Sequence, residues 1–131
     1  MKRQSGNGKR QSDKGIKIID AKAVPFNEKI RNHILNCCRN TLWERSLSDR
    51  LVKVLATEMV QKNFLYKNVD LATCVLNGVE YRISGQHVCW AVEAALESNP
   101  DFASSYAKRC PKVMLIRYKA ESESDLRNMY R

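Results

Sequence analysis

The sequence lacks the segments that would place the chain in a membrane or direct it out of the cell. None of its apolar runs approaches the roughly 20 residues that a membrane-spanning helix needs. The N-terminus is basic but is not followed by an apolar stretch, so it is unlike a secretory signal. The five cysteines are odd in number and form no C-x-x-C pair, which favours reduced thiols over a disulfide framework. We therefore expect a cytoplasmic protein without membrane contact.

Motifs of common catalytic and metal sites are missing as well. The sequence has no P-loop, no Ser-His-Asp arrangement and no metal-binding cluster of acidic residues. His33 and Cys37, with Cys38 adjacent, have a spacing that can chelate a metal, but the spacing of a closed structural zinc site is absent and buried thiols are the commoner case. Cys89 lies in the first turn of a predicted helix, and its nearest base, His87, falls on another face. We predict no catalytic residue and no metal site, and residual nuclease or nucleotide-hydrolysing activity is the weakest hypothesis.

The sequence does contain enough apolar material for one packed domain, together with an excess of positive charge. Its 131 residues have a mass of 15.1 kDa and a hydrophobic fraction of 44%, which suits a single core. Lysine and arginine number 23 against 14 acidic residues, giving a net charge of +9. Six of these basic residues lie within residues 1–17 beside one acidic residue, Asp13. The charge therefore belongs partly to the N-terminal segment and partly to the domain.

The N-terminal segment has the composition of a flexible arm. After Met1, residues 1–14 contain no large apolar side chain, so they cannot bury enough surface to offset the entropy of ordering them. We predict a flexible basic arm over residues 1–15, in front of a domain over residues 16–131. The arm is either a polyanion-binding segment, since Lys and Arg near phosphates release counterions, or a solubilising tail. In the first case the nucleic-acid-binding residues are Lys2, Arg3, Lys9, Arg10, Lys14 and Lys17.

Hydrophobic periodicity and cap residues predict the element order β-α-α-β-β-α-α-β-α. A first strand is expected near residues 16–20, and two strands over 69–76 and 79–83 are joined by Asn77-Gly78, a favoured hairpin turn. A later strand over 113–118 would complete a βαβ-type crossover from strand 79–84, right-handed if the two strands are parallel. The helices are expected over 27–39, from Ser46 or Ser48 to about 62, after His87, from Asn99 to about 110, and from Ser122 or Ser124.

The passage from strand 79–84 into the next helix is the candidate binding site. Gly85 permits a tight turn and a close backbone approach to a ligand. The first N–H groups of a helix have no internal partners, and with the helix dipole they attract anions. Gln86 and His87 add polar groups, and Ser84 adds a hydroxyl. These residues are consistent with a phosphate or carboxylate pocket, while a structural turn without a ligand would use the same glycine.

The same junction carries a resemblance to a known family. It rests on the segment Val79-Glu80-Tyr81-Arg82-Ile83-Ser84-Gly85-Gln86-His87, followed by Ala91 and Val92. This segment resembles the Gly-Gln-His-Arg signature of ParB/sulfiredoxin-like domains, and the likeness in element order covers roughly residues 46–131. The resemblance implies a mixed α/β (α+β) domain with a small mixed sheet flanked by helices. It also implies a nucleotide ligand such as CTP or ATP, bound at Ser84, Gly85, Gln86 and His87.

The chain departs from that signature in ways that bear on function. Val88 stands where the motif has arginine, and an aliphatic side chain cannot replace a bidentate phosphate contact. Ser84 stands where the motif has an acid, and Gln86 stands where sulfiredoxin has its catalytic cysteine. We expect no helix-turn-helix module within the 131 residues. The pattern is that of an altered nucleotide-binding domain.

Two functions are consistent with these observations. The first is a small basic nucleic-acid-associated protein built on a degenerate ParB-like nucleotide-binding domain. The second is a phage- or plasmid-encoded interaction or inhibitor protein that acts without catalysis on a host nucleoprotein complex, such as a defence system. The partner is accordingly a nucleic acid, a nucleoprotein complex or a host protein.

Overall fold

A computed structural model describes residues 15–40 and 42–130, apart from the side chain of Cys37. Nine regular elements and two short helical turns follow one another along these residues. In chain order they are β1 (Ile16–Pro25), α1 (Glu28–Asn32), a π-helical turn (His33–Cys37), α2 (Asp49–Val60), a 3-10 turn (Tyr66–Asn68), β2 (Asp70–Leu76), β3 (Val79–Ser84), α3 (Gln86–Ser98), α4 (Pro100–Lys108), β4 (Lys112–Ala120) and α5 (Glu123–Asn128). The predicted order of strands and helices is confirmed.

The four strands form one mixed sheet in the order β1-β4-β2-β3. Strand β4 pairs antiparallel with β1 and parallel with β2, and β2 pairs antiparallel with β3. The predicted mixed α+β class with a small mixed sheet is therefore confirmed. The crossover needs correction, because β3 turns back tightly from β2 to the sheet edge. The parallel neighbour of β4 is β2, and β3 runs opposite to β4.

Local turn chemistry sets the β2–β3 hairpin, whereas long-range pairing sets the length of β1. Asn77 and Gly78 have φ angles of 53° and 79°, the left-handed values that a two-residue hairpin turn needs. Strand β1 continues to Pro25, five residues beyond its predicted end, because β4 pairs with it as far as Lys112. Gly15, the last residue of the predicted arm, lies within the described residues, and its carbonyl accepts a hydrogen bond from the Glu121 N–H.

The main core lies between one face of the sheet and helices α2, α3 and α4. Leu71 and Val92 are fully buried there, together with Phe26 and Ile34 from the segment after β1. A smaller cluster on the opposite face packs Leu126 of α5 against Cys74, Leu76 and Ala120. Because side chains alternate along β2 and β4, each strand contributes some residues to the main core and others to the smaller cluster on the opposite face. Within residues 15–40 and 42–130, no helix combines the length and apolar character that crossing a membrane requires.

Side-chain caps start the helices where the sequence predicts them, but the first helix ends early. The Asn27 side chain accepts a hydrogen bond from the Ile30 N–H at 3.0 Å, and Ser48 accepts one from the Leu51 N–H at 3.2 Å. The helix expected over residues 27–39 is α-helical only to Asn32. It continues as the wider π-helical turn to Cys37, which changes the residues that share a face.

Candidate site at the strand–helix junction

Gly85 is required at the junction by its backbone angle and by close packing. It lies between β3 and α3 with φ of 117°. A Cβ atom on this residue would lie 2.7 Å from Leu71 Cδ2 and 3.5 Å from Ile34 Cγ2. The first distance is shorter than real carbon contacts allow, so the fully buried Leu71 would have to move. The fold alone thus accounts for a glycine at this position.

The three polar side chains predicted at the junction all bind within the protein. The Ser84 hydroxyl donates to the Asp70 carbonyl at 3.0 Å. The Ser48 N–H donates to His87 Nε2 at 2.9 Å, so this nitrogen acts as an acceptor at the start of α2. Gln86 Oε1 accepts a hydrogen bond from a neighbouring guanidinium at 3.1 Å. The structure therefore brings Ser84, Gly85, Gln86 and His87 together, and each of these three polar side chains already has a protein partner.

That guanidinium belongs to Arg82, which the sequence did not single out. Its side chain is only 4% exposed. The Glu44 carboxylate accepts from Arg82 Nε at 2.7 Å and from Nη2 at 3.2 Å. The Ile34 carbonyl accepts from Nη1 at 3.0 Å, and the Asn40 amide oxygen accepts from Nη2. Arg82 therefore links β3, the π-helical turn and the following connection at the edge of the junction.

The connection between the π-helical turn and α2 covers the junction. We call residues 38–40 and 42–48 the covering segment. It supplies Glu44 and Asn40 to Arg82 and the Ser48 N–H to His87. A carboxylate and a phosphate are recognised by the same bidentate guanidinium geometry. Glu44 therefore already binds the Arg82 guanidinium, the group to which an anionic ligand at this edge would bind.

A second polar cluster lies on β3 beside the π-helical turn. His33 Nε2 lies 3.3 Å from Glu80 Oε1 and 3.6 Å from Cys38 Sγ. The other carboxylate oxygen of Glu80 accepts hydrogen bonds from Thr73 Oγ1 at 2.6 Å and Arg117 Nε at 3.2 Å. Burial by itself would raise the pKa of Glu80, but the Thr73 hydrogen bond, the charge of His33 and the Arg117 hydrogen bond together lower it. Glu80 is thus held as a carboxylate facing His33.

Cys89, in the first turn of α3, lacks the exposed surroundings of a reactive thiol. Cys89 is completely buried. Burial raises the pKa of its thiol to about 12, against the smaller lowering influence of Arg31 and Arg82. A thiol of this kind stays protonated at neutral pH and is a weak nucleophile.

Exposed basic residues lie together on the β1–β4 half of the sheet. Lys17 and Lys119 are directly opposite each other in the antiparallel register, and both are exposed. Arg117 lies on the same side of β4 as Lys119 by alternation, and the bulge between Ile18 and Asp20 brings Lys22 of β1 to that side as well. We call these four residues the basic strand face. Among the described residues, ion pairs involve Lys22 with Asp20 and Arg117 with Glu80, but none involves Lys17 or Lys119.

The basic strand face includes one of the predicted nucleic-acid-binding residues, Lys17. The others lie outside the described residues, and they are Lys2, Arg3, Lys9, Arg10 and Lys14. The contributions of Arg117 and Lys119 were not predicted, because they depend on the pairing of β4 with β1. Along the sequence, Arg117 and Lys119 lie among several basic residues late in the chain, and nothing in that sequence indicates which of them share a face.

Comparison with known proteins finds no matching family model, no matching curated protein and no matching solved structure.

Proposed function

We propose that this chain is a small, basic nucleic-acid-associated protein that holds a phosphate backbone against the basic strand face. The observation that carries the proposal is the direct opposition of Lys17 and Lys119. Like charges opposite each other on neighbouring strands are destabilising. A phosphate between the two ammonium groups would relieve that repulsion and release counterions.

We propose that the basic N-terminal residues add phosphate contacts to those of the basic strand face. Lys14 precedes Lys17 by three residues, and four further basic residues come before it. In the sequence, this positive charge directly precedes β1. A segment of this kind would add phosphate contacts without reading sequence, so the proposed binding is strong at low salt and weakly sequence-specific.

The salt dependence of binding tests this function. Labelled duplex and single-stranded DNA are titrated with the full chain at several salt concentrations. For duplex DNA, we expect the double variant Lys17→Gln/Lys119→Gln to reduce the slope of log affinity against log salt by about 2, since each phosphate contact contributes about 0.9. The matched control is Lys53→Gln/Lys108→Gln, which removes the same charge from exposed positions on α2 and α4 and should leave the slope unchanged.

The result can contradict the proposal in two ways. The full chain could fail to bind DNA even at low salt, or both double variants could reduce the slope equally, which would indicate diffuse attraction only. The unfolding midpoint of each variant, measured without DNA, shows whether a binding loss reflects unfolding. Since Lys17→Gln/Lys119→Gln removes a repulsion, we expect the free protein to be at least as stable as wild type.

We further propose that the domain is related to ParB/sulfiredoxin-like domains, and that CTP or ATP is the ancestral ligand of the junction. The order β3, Gly85, α3 supports this relation. Since Glu44 already binds Arg82, a nucleotide would have to displace the covering segment. Calorimetric titration with CTP and ATP should therefore give tighter binding to Glu44→Gln than to wild type. Absence of heat in both proteins would contradict a nucleotide site here, and Glu93→Gln is the matched control.

One observation favours the second function, an interaction protein acting on a host nucleoprotein complex. Trp90 is 42% exposed and lines an open groove of about 370 Å³ with Leu47 and Val52, between α2 and α3. Exposed tryptophan is common at protein interfaces. A nuclease-resistant complex that is lost in Trp90→Ala, with DNA binding by the purified chain absent, would favour this function over the first.

A further inference from the structure

We propose that His33, Cys38 and Glu80 form a binding site for a divalent metal ion of the zinc class. This inference is independent of nucleic-acid binding. The three residues come from the π-helical turn, its end and strand β3. Each offers one ligand atom, and all three atoms lie within 4.8 Å of one another.

Two of the three separations suit a tetrahedral site, and the third is at most 4.8 Å. Zinc binds imidazole nitrogen and carboxylate oxygen at about 2.0–2.2 Å and thiolate sulfur at about 2.3 Å. Tetrahedral angles then place neighbouring ligand atoms roughly 3.3–3.6 Å apart. The His33–Glu80 separation is 3.3 Å and the His33–Cys38 separation is 3.6 Å. An ion could therefore enter with little movement of these two pairs.

The π-helical turn determines which cysteine joins the site. In an α-helix, residues four apart share a face, which pairs His33 with Cys37. Here the Cys38 N–H donates to the His33 carbonyl at 3.1 Å, a bond that spans five residues. The wider turn brings Cys38 onto the face of His33. Single π-helical turns of this kind are frequent at functional sites.

Strand β3 fixes the carboxylate ligand from the other side. The Arg39 N–H donates to the Glu80 carbonyl at 3.0 Å, which ties the end of the turn to the strand. Thr73 and Arg117 bind the Glu80 oxygen that faces away from His33. Hydrogen bonds of this kind to a ligand carboxylate orient it and tune the metal. Glu80 therefore presents its second oxygen toward His33.

The donor set and its exposure indicate the chemical class of the ion. A thiolate and an imidazole select zinc-class metals over magnesium or calcium, which prefer oxygen ligands. Cys38 is 4% exposed, whereas the His33 side chain is 36% exposed, so solvent reaches one side of the cluster and a water could complete four ligands. On binding, the Cys38 S–H bond breaks, the metal–sulfur bond forms, and the proton passes to solvent.

The test uses the full chain, treated with a chelator and then titrated with Co²⁺ as a spectroscopic probe. We expect one Co²⁺ per chain, with a thiolate-to-cobalt charge-transfer band that added Zn²⁺ abolishes by displacement. We also expect Zn²⁺ to raise the unfolding midpoint of the wild type, since a ligand that binds the folded state stabilises it. Absence of both effects in the wild type would overturn the proposal without reference to any variant.

Variants identify the ligands. Cys38→Ser should abolish the charge-transfer band, and His33→Gln and Glu80→Gln should each weaken Co²⁺ binding by about tenfold or more. Cys110→Ser is the matched control and should bind as the wild type does. Loss of the band in Cys37→Ser with retention in Cys38→Ser would overturn the proposed ligand set, because it would select the α-helical pair instead. Unfolding midpoints without metal separate ligand loss from misfolding.

Discussion

Replacement of Arg82 by alanine is expected to lower the free energy of unfolding by about 3–5 kcal/mol, the range for breaking a buried ion pair from one side. The Arg82 and Glu44 side chains are 4% and 9% exposed, so the truncated protein would hold the Glu44 carboxylate with little solvent and no guanidinium. The Ile34 carbonyl would also lose its donor. Denaturant unfolding with linear extrapolation measures the change.

Two comparisons make this expectation specific to the buried pair. Arg127→Ala removes an exposed arginine and should change stability by less than about 0.5 kcal/mol. The double variant Arg82→Met/Glu44→Leu replaces both charges with apolar groups and should be more stable than Arg82→Ala, because no unpaired charge remains. If Arg82→Ala costs no more than Arg127→Ala, Arg82 does not stabilise the covering segment.

The same arginine marks a limit of sequence interpretation. Alternation along β3 places Glu80, Arg82 and Ser84 on one face, and their polar side chains alone would indicate a face toward solvent. The structure buries Arg82 because the covering segment lies over it. That segment has no hydrophobic period that would indicate its partners. The position of Glu44 depends on a contact across 38 residues of sequence, which local patterns do not encode.

Features controlled by neighbouring residues were predictable. The Asn77-Gly78 turn needs two left-handed residues and has them. The caps at Asn27, Ser48 and Asn99 each accept a hydrogen bond from an N–H three residues later. In both cases the chemistry that fixes the structure lies within four residues of sequence.

Features controlled by distant residues were predicted less well. The continuation of β1 to Pro25 depends on β4, and the parallel partner of β4 was not evident before the sheet order was known. The hydrophobic spacing predicts a continuous α-helix after Asn32, since an α-helix and a π-helical turn give similar spacing over a few residues. The wider turn places Cys38 Sγ 3.6 Å from His33 Nε2.

The candidate junction combines both cases. The strand–glycine–helix order was predictable from local residues, and it is present. The partners of Ser84, Gln86 and His87 were not, because they come from β2, β3 and the start of α2. A motif defined by short spacing thus identifies the turn correctly, while the chemistry available there depends on the elements packed around it.

Replacement of Gly85 by alanine is expected to lower the free energy of unfolding by about 2–6 kcal/mol. Strain from a side chain at positive φ contributes about 1–3 kcal/mol, and overpacking contributes about 1–3 kcal/mol. The overpacking arises because the new Cβ would lie 2.7 Å from Leu71 Cδ2. Denaturant unfolding of the full chain measures the sum.

Gly78→Ala separates the two contributions. Gly78 also has a positive φ, of 79°, but nothing lies within 4 Å of a Cβ built there. It should therefore show the strain without the overpacking and cost clearly less than Gly85→Ala. In addition, Gly85→Ala should cost less in a Leu71→Ala background than in wild type, since the clashing methyl group is gone. Equal costs at the two glycines would contradict the packing argument and leave the positive φ of Gly85 as the reason for a glycine at the junction.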